Sequence, residues 1–267
     1  MKVINLFVAI AISLILYSSC SHDVAPIGHY QEAPIVADGE TADWNVPLRF
    51  SNQEHTFDYS VTNDKKNIYI CILSKDESTQ TRILRSGIEI YFDPKGEKNK
   101  NIDLEFPLRK AEQSSYNNGD PITSSRTKMN KNELLLQSDS YNTIGFANIE
   151  NGQFAVSDKK NGIQLAIKLH DDSTLVYEAI VPLADIPGIN PYGKNANKNF
   201  SVGIAINNAI RRNNSYNNSP RPSYGGGMRG MGMRMGGGGY RGGQRSQPPK
   251  EEVNWYLFRP AFDANKK

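Results

Sequence analysis

Cysteine is nearly absent from this 267-residue sequence, which contains only Cys20 and Cys71. Two thiols cannot build a disulfide framework, and they cannot supply a cysteine-rich zinc site. Cys71 lies in the apolar run NIYICIL, where a small buried thiol is the expected state. A disulfide-stapled scaffold and a zinc module are therefore excluded.

The motifs of nucleophilic and metal-dependent catalysis are also missing. The sequence has no G-x-S-x-G elbow and no H-E-x-x-H pair, and YGGGMRG is not followed by the Gly-Lys-Ser/Thr of a phosphate-binding loop. His55 and His170 stand alone among strand or turn residues, and His22 and His29 fall in the N-terminal segment. The sequence therefore predicts a protein that is not an enzyme.

Long amphipathic helices are the third absence, and short alternating segments take their place. In HTFDYSVT, one predicted face holds His55, Phe57, Tyr59 and Val61, and NIYICIL follows after a turn at 63–66, which predicts a hairpin. The further predicted strands are GIEIYFD (87–93), NIDLEFPL (101–108), TIGFANI (143–149), GIQLAIKL (162–169), TLVYEAIVPL (174–183), NFSVGIAIN (199–207) and VNWYLFRP (253–260). Many short strands separated by Gly, Asn and Pro turns predict an all-β fold, an antiparallel β-sandwich.

The N-terminus has the order of a secretory signal peptide. Lys2 precedes the apolar run Val3–Tyr17, and small residues follow. The run is shorter than the about 20 residues that a membrane-spanning helix needs, so we expect cleavage. The boundary LYSSC resembles the lipobox of Bacteroidetes-type lipoproteins, which implies cleavage before Cys20 and acylation of that residue. The alternative is a plain secreted protein that is cut nearby.

These features divide the chain into a lipoprotein signal peptide (1–19), a tether (20–33) and a single β-sandwich domain (34–267) with a disordered loop at 211–249. Removing the signal leaves 267 − 19 = 248 residues, enough for one sandwich with a large insertion. The predicted location is the cell envelope, with a lipid anchor in a membrane and the domain at the outer membrane or facing the periplasm.

The stretch 225–243 is too rich in glycine to pack, because eleven of its nineteen residues are glycine. The wider segment 211–249 contains seven arginines and no acidic residue, so the rest of the chain sums to 3 − 7 = −4. Such a basic segment would bind single-stranded nucleic acid if it met any. Since the chain leaves the cytoplasm, we predict no nucleic-acid partner.

Copper is the other chemistry that this loop suggests. Four thioethers, which are soft ligands suited to Cu(I), lie within eight residues: Met228, Met231, Met233 and Met235. Arg229 and Arg234 place positive charge among these ligands, and the loop contains no histidine or cysteine. A disordered arm that contacts an anionic partner is therefore favoured over a metal site.

The order of four motifs resembles the family nine carbohydrate-binding modules and the related DOMON-like sandwiches. These motifs are VADGETADW (36–44), NDKKNIYICI (63–72), SGIEIYFDP (86–94) and YEAIVPLADI (177–186). The resemblance covers roughly 33–206 and carries Asp38, Trp44, Glu89 and Asp93 over as family residues. It implies a sandwich that binds sugar between two tryptophans, and this chain has two, Trp44 and Trp255.

Each candidate ligand residue also has a structural interpretation. Trp44 is either a core plug or an aromatic platform for a sugar. Glu89, Tyr91 and Asp93 share one strand face, and residues four apart on a strand lie about 13 Å apart. That separation exceeds the roughly 5 to 9.5 Å of glycoside hydrolysis, so a solvated or turn-capping role is favoured for the two carboxylates.

The predicted function is that of an exported surface lipoprotein with a non-catalytic, carbohydrate-binding-like sandwich whose partner is a polysaccharide or glycan. The alternative is a structural or interaction lipoprotein of the envelope without a sugar site. A Cu(I) or haem domain and a glycoside-acting enzyme are minor alternatives. No cofactor is expected, although the resemblance allows calcium; the sequence lacks a D-x-D-x-D-G loop and an obvious pair of haem ligands.

Overall fold

The computed structural model describes residues 25–108, 130–189, 198–207 and 252–262. The signal peptide, residues 20–24 of the tether with Cys20, and the loop 211–249 with its methionines lie outside these ranges. The elements within them are β1 (His29–Tyr30), β2 (Phe50–Ser51), β3 (Asp58–Asn63), β4 (Asn67–Ser74), α1 (Glu77–Ser86), β5 (Ile88–Asp93), β6 (Asp103–Phe106), α2 (Lys131–Leu136), β7 (Ser140–Ile144), β8 (Gly152–Ala155), β9 (Gln164–Leu169), β10 (Leu175–Pro182), β11 (Phe200–Ile206) and β12 (Val253–Phe258). None of the helices in the described part of the chain has the length and apolarity to span a membrane.

The strands form two sheets, which confirms the predicted all-β sandwich. Sheet one has the order β1-β3-β4-β10-β9, and β2 pairs with the N-terminal end of β3. Sheet two has the order β12-β11-β5-β6-β7-β8. Strand neighbours run antiparallel except for β1, which is parallel to β3. Large sheets built from such short, mostly consecutive strands are typical of sandwich domains.

The main core lies between the two sheets and follows the period of two. In sheet one, β4 contributes Ile68, Ile70 and Ile72, and in sheet two, β5 contributes Ile88 and its neighbours at alternate positions. Each of these side chains is at most 1% exposed. Because alternate residues of a strand point to opposite faces, the residues between them lie on the outer faces of the sheets. Those outer faces hold the sequence candidates.

Three local predictions need correction. Helix α1 was not predicted, because only Ile83 and Leu84 are apolar in its inward turn and the period of a helix is not evident in ten residues. The strand predicted at 143–149 ends at Ile144, since Gly145 has φ of 78° and lies close against the carbonyl of Asn101. His55 lies in the exposed turn before β3 rather than on its inward face.

Candidate binding face

The outer face of sheet two, the side turned away from the core, combines aromatic rings with carboxylates. Glu89, Tyr91 and Asp93 of β5 point to this face because Ile88, Ile90 and Phe92 point into the core. The shared face is the one that the period of two predicts. The remaining members of the face come from strands β6, β11 and β12, which the sequence alone could not place beside β5.

The first lateral row of this face brings two aromatic rings together. In the sheet register, Gly203 of β11 pairs with Trp255 of β12 on one side and with Tyr91 of β5 on the other. The centroids of the Trp255 and Tyr91 rings are 6.1 Å apart, and the ring planes are inclined by 25°. This geometry is an offset stack, the arrangement that aromatic pairs prefer.

Polar groups surround the aromatic pair. Asp103 of β6 lies beside Tyr91 in the register, and Glu105 lies beside Glu89. The hydroxyl of Tyr91 donates a hydrogen bond to Glu89 Oε2. The ammonium of Lys100 lies 4.6 Å from the centroid of the Tyr91 ring, within the range of a cation–π contact.

The amide of Asn207 is the last of these polar groups, which together form a polar margin beside the aromatic pair. Its Nδ2 donates to Glu105 Oε1 at 3.0 Å, which fixes that carboxylate at the end of the sheet where β11 ends. Sugar recognition needs an aromatic ring for the C–H face of the sugar and hydrogen-bonding groups for its hydroxyls. The outer face of sheet two places both kinds of group side by side.

Burial differs sharply among these residues. Glu89 is 1% exposed and Tyr91 is 3% exposed, whereas Trp255 is half-buried and Lys100 is exposed. The favoured prediction of a solvated role for Glu89 is therefore wrong, because the neighbouring strands and rings remove its carboxylate from water. Trp255 is the aromatic ring of this face with surface left for a ligand.

Asp93 caps a turn instead of lining the face. Its Oδ1 accepts a hydrogen bond from the backbone N–H of Lys95 at 2.9 Å. Its Oδ2 accepts from the N–H groups of Glu97 and Asn99 at 2.7 Å and 3.1 Å. The carboxylate is 3% exposed. The turn-capping alternative therefore describes Asp93, and its inclusion among the ligand-binding candidates is corrected.

Trp44 lies over the other sheet, which corrects its proposed role as a sugar platform. It is 7% exposed and belongs to a second apolar cluster on the outer face of sheet one, together with Ile35, Leu48, Tyr69, Cys71, Val176 and Ile180. Its indole Nε1 donates to Glu178 Oε1 at 2.7 Å. Since Trp44 and Trp255 cover opposite sheets, they cannot hold one sugar between them.

Glu178 of β10 is the residue that sequence reasoning missed. Its side chain is buried, and Oε2 accepts hydrogen bonds from the backbone N–H groups of Gly39 at 2.6 Å and Asp38 at 3.0 Å. Burial raises the pKa of Glu178, while the Trp44 indole and the two backbone donors lower it by a smaller amount. Glu178 thereby fastens the motif VADGETADW to the motif YEAIVPLADI.

Two contacts at the edge of sheet one hold the same segment. Lys168 of β9 forms an ion pair with Glu40, and this hydrogen-bonded partner lowers the pKa of the Glu40 carboxyl. His170 Nε2 lies 2.8 Å from the carbonyl oxygen of Gly39. Cys71 lies beneath this segment, and burial raises the pKa of its thiol, so the predicted small buried thiol is confirmed. The outer face of sheet one is therefore covered by its own chain.

Within the described ranges, no group of three or more His, Cys, Asp or Glu side chains is arranged to hold a metal ion. The calcium allowed by the resemblance stays a prediction, and the carboxylate of Asp93 accepts hydrogen bonds from backbone N–H groups. The Cu(I) hypothesis concerns Met228–Met235, which lie outside the described part, and stays a prediction.

No protein-family model matches the chain, and no curated protein matches it. Among solved structures, the chain is similar to a family nine carbohydrate-binding module of Caldicellulosiruptor kristjanssonii in complex with cellotriose, with 14% identity, a TM-score of 0.33, and coverage of 69% of this chain and 77% of that one. It is also similar to a protein of Bacteroides uniformis assigned provisionally to carbohydrate binding, with 7% identity, a TM-score of 0.28, and coverage of 60% and 68%. The likeness concerns the fold alone and locates no site.

Proposed function

We propose that this protein binds a glycan on the outer face of sheet two, with the ring of Trp255 as the platform. The observation that carries the proposal is the half-buried Trp255 ring, stacked at 6.1 Å on Tyr91 and bordered by polar side chains. Stacking fixes the orientation of the ring before a ligand arrives, which lowers the entropy that binding must overcome. A sugar ring would lie on Trp255 and direct hydroxyls toward the polar margin.

The hydrogen-bonding groups of this margin are held in place in the same way. Glu105 receives the Asn207 amide, and Glu89 receives the Tyr91 hydroxyl, so two carboxylates are oriented by neighbouring residues. Of the two, Glu105 is half-buried, and it can accept hydrogen bonds from sugar hydroxyls without losing side-chain freedom. The domain acts by binding, and no catalytic step is proposed.

The sequence motifs at the N-terminus extend the proposal to the whole chain. Acylation of Cys20 would attach the domain to a membrane of the envelope through the segment 20–33. The domain would then hold a glycan at the cell surface or in the periplasm. Glycan binding and membrane anchoring are independent of each other, so each is tested separately.

A second candidate function is an interaction role without a sugar site. The near-complete burial of Glu89 and Tyr91 favours it, because side chains already removed from water offer little to a ligand. In that case the outer face of sheet two would be a packing surface that stabilises the domain.

Calorimetric titration with a panel of neutral and acidic oligosaccharides distinguishes the two functions. We include cellotriose because it is the ligand in the solved module of similar fold. Binding in the micromolar to millimolar range, about −4 to −8 kcal/mol, is expected for one member of the panel. Trp255→Ala should abolish it with the domain still folded, and Lys168→Ala on sheet one should leave it unchanged. If no member binds, the interaction role is the better account.

A further inference from the structure

Gly203 occupies an unusual place in sheet two. It lies in the interior of strand β11, directly between Tyr91 and Trp255 in the register. Glycine weakens a strand interior because it loses more backbone entropy than other residues and offers no side chain to pack. A glycine at such a place commonly marks the close approach of another group.

The backbone of Gly203 does not require glycine. It is ordinary strand backbone without the positive φ of Gly39, Gly87 or Gly145. Any residue could adopt this conformation, so the reason for glycine must be space. The neighbours of the missing Cβ therefore show what the glycine accommodates.

The indole of Trp255 fills the space that a side chain at position 203 would take. A Cβ there would lie 2.9 Å from Trp255 Cζ3, 3.0 Å from Trp255 Cε3 and 2.9 Å from Val253 Cγ1. Real Cβ atoms essentially never approach another heavy atom closer than 3.0 Å, and two of these distances are below that limit. The six-membered ring of the indole thus lies against the strand at Gly203, and from there it reaches the ring of Tyr91.

We propose that Gly203 is the positioning residue of the binding face: its missing side chain seats the Trp255 ring against β11 and beside Tyr91. The effect on ligand affinity rests on the proposed function, whereas the contact between Gly203 and the Trp255 ring does not. A methyl group at position 203 displaces the ring from Tyr91. The sugar platform is then lost although Trp255 is still present.

The first test follows the ring itself, without any ligand. Labelling the full chain with 5-fluorotryptophan gives two fluorine resonances, one for each tryptophan, and Trp255→Phe assigns them. Gly203→Ala should shift the Trp255 resonance and leave the Trp44 resonance in place. Ala205→Gly, a change of the same size at the next outward position of β11, should move neither. An unshifted Trp255 resonance in Gly203→Ala overturns the proposal.

A second variant separates the effect of the Val253 contact from the effect of the indole contact. Val253→Ala removes Cγ1, so Gly203→Ala combined with Val253→Ala retains only the collision with the indole. This double variant keeps the test valid if Gly203→Ala alone folds poorly. The Trp255 resonance should differ between the double variant and Val253→Ala alone, and identical resonances contradict the seating role.

The second test measures cellotriose binding by calorimetry in the same variants. Gly203→Ala should weaken binding by roughly tenfold, the equivalent of one lost aromatic contact, whereas Ala205→Gly should not. Unchanged affinity together with a shifted resonance overturns the claim that the seat serves the ligand. If the wild-type chain binds none of the panel while the resonance shifts as expected, the proposed function fails and the seating of Trp255 by Gly203 stands.

Discussion

The substitution Trp44→Phe tests whether the buried contact between Trp44 and Glu178 fastens the segment 35–48 to sheet one. The change keeps an aromatic ring in the cluster and removes the indole N–H that donates to Glu178 Oε1 at 2.7 Å. Glu178 is 0% exposed, so water cannot replace that donor. The carboxylate retains the N–H groups of Gly39 and Asp38.

The magnitude follows from two losses. A hydrogen bond to a charged group contributes about 1.5–3 kcal/mol, and the smaller ring leaves a cavity worth about 1 kcal/mol. Trp44→Phe should therefore lower the free energy of unfolding by about 2.5–4 kcal/mol, which in a domain of this size lowers Tm by roughly 5–16 °C. Urea unfolding followed by circular dichroism at pH 7 measures this change.

The matched control is Trp255→Phe, the same chemical change at the half-buried tryptophan of sheet two. We expect it to cost less than about 1 kcal/mol. Equal costs for the two substitutions would refute the account of Glu178 as the fastening point. A double-mutant cycle with Glu178→Gln should give a coupling energy well above zero, since the two side chains are in direct contact.

Three further predictions concern other parts of the chain. Burial raises the pKa of Glu178 above its ordinary 4.5, so its stabilising contribution is fully present below that pH and is lost as pH rises through the folded pKa. The stability of the wild type relative to Glu178→Gln should therefore fall as pH rises above about 4.5, and a flat difference would contradict this. Asp93→Ala leaves three backbone donors of the turn without their acceptor and should lower the free energy of unfolding by about 1–3 kcal/mol, whereas an unchanged urea midpoint would show that the turn needs no cap. Cys20→Ala should move the protein from the membrane fraction to the soluble fraction, and an unchanged distribution would remove the lipid anchor from the account.

The central strands of this fold could be predicted because β-branched and aromatic apolar residues run over six to eight positions between turn residues, as in β4 and β10. The short strands β1, β2 and β8 could not, since two to four residues carry no period. Helix α1 was not predicted because only one turn of its buried face, Ile83 and Leu84, is apolar. Apolar runs therefore predict the long strands of the two sheets, but they do not predict the short strands or the helix.

The site was only partly predictable, because lateral neighbours are set by sheet order rather than by sequence distance. The shared face of Glu89 and Tyr91 follows from alternation along one strand, but its contact with Trp255 requires β11 and β12 to lie next to β5. The burial of Trp44 depends on Glu178, which lies 134 residues away in sequence. The glutamate in the middle of the apolar run TLVYEAIVPL was the available signal, since a buried carboxylate needs partners.

The most direct test of glycan binding on the outer face of sheet two is an NMR titration that follows the two indole N–H cross-peaks of the chain while cellotriose is added. Binding at the proposed face should shift the Trp255 cross-peak in a saturable manner. The Trp44 cross-peak, held by its hydrogen bond to Glu178 on the opposite side of the sandwich, should stay in place. Saturable binding that leaves the Trp255 cross-peak unmoved, or that shifts Trp44 instead, would contradict the assignment of the binding face.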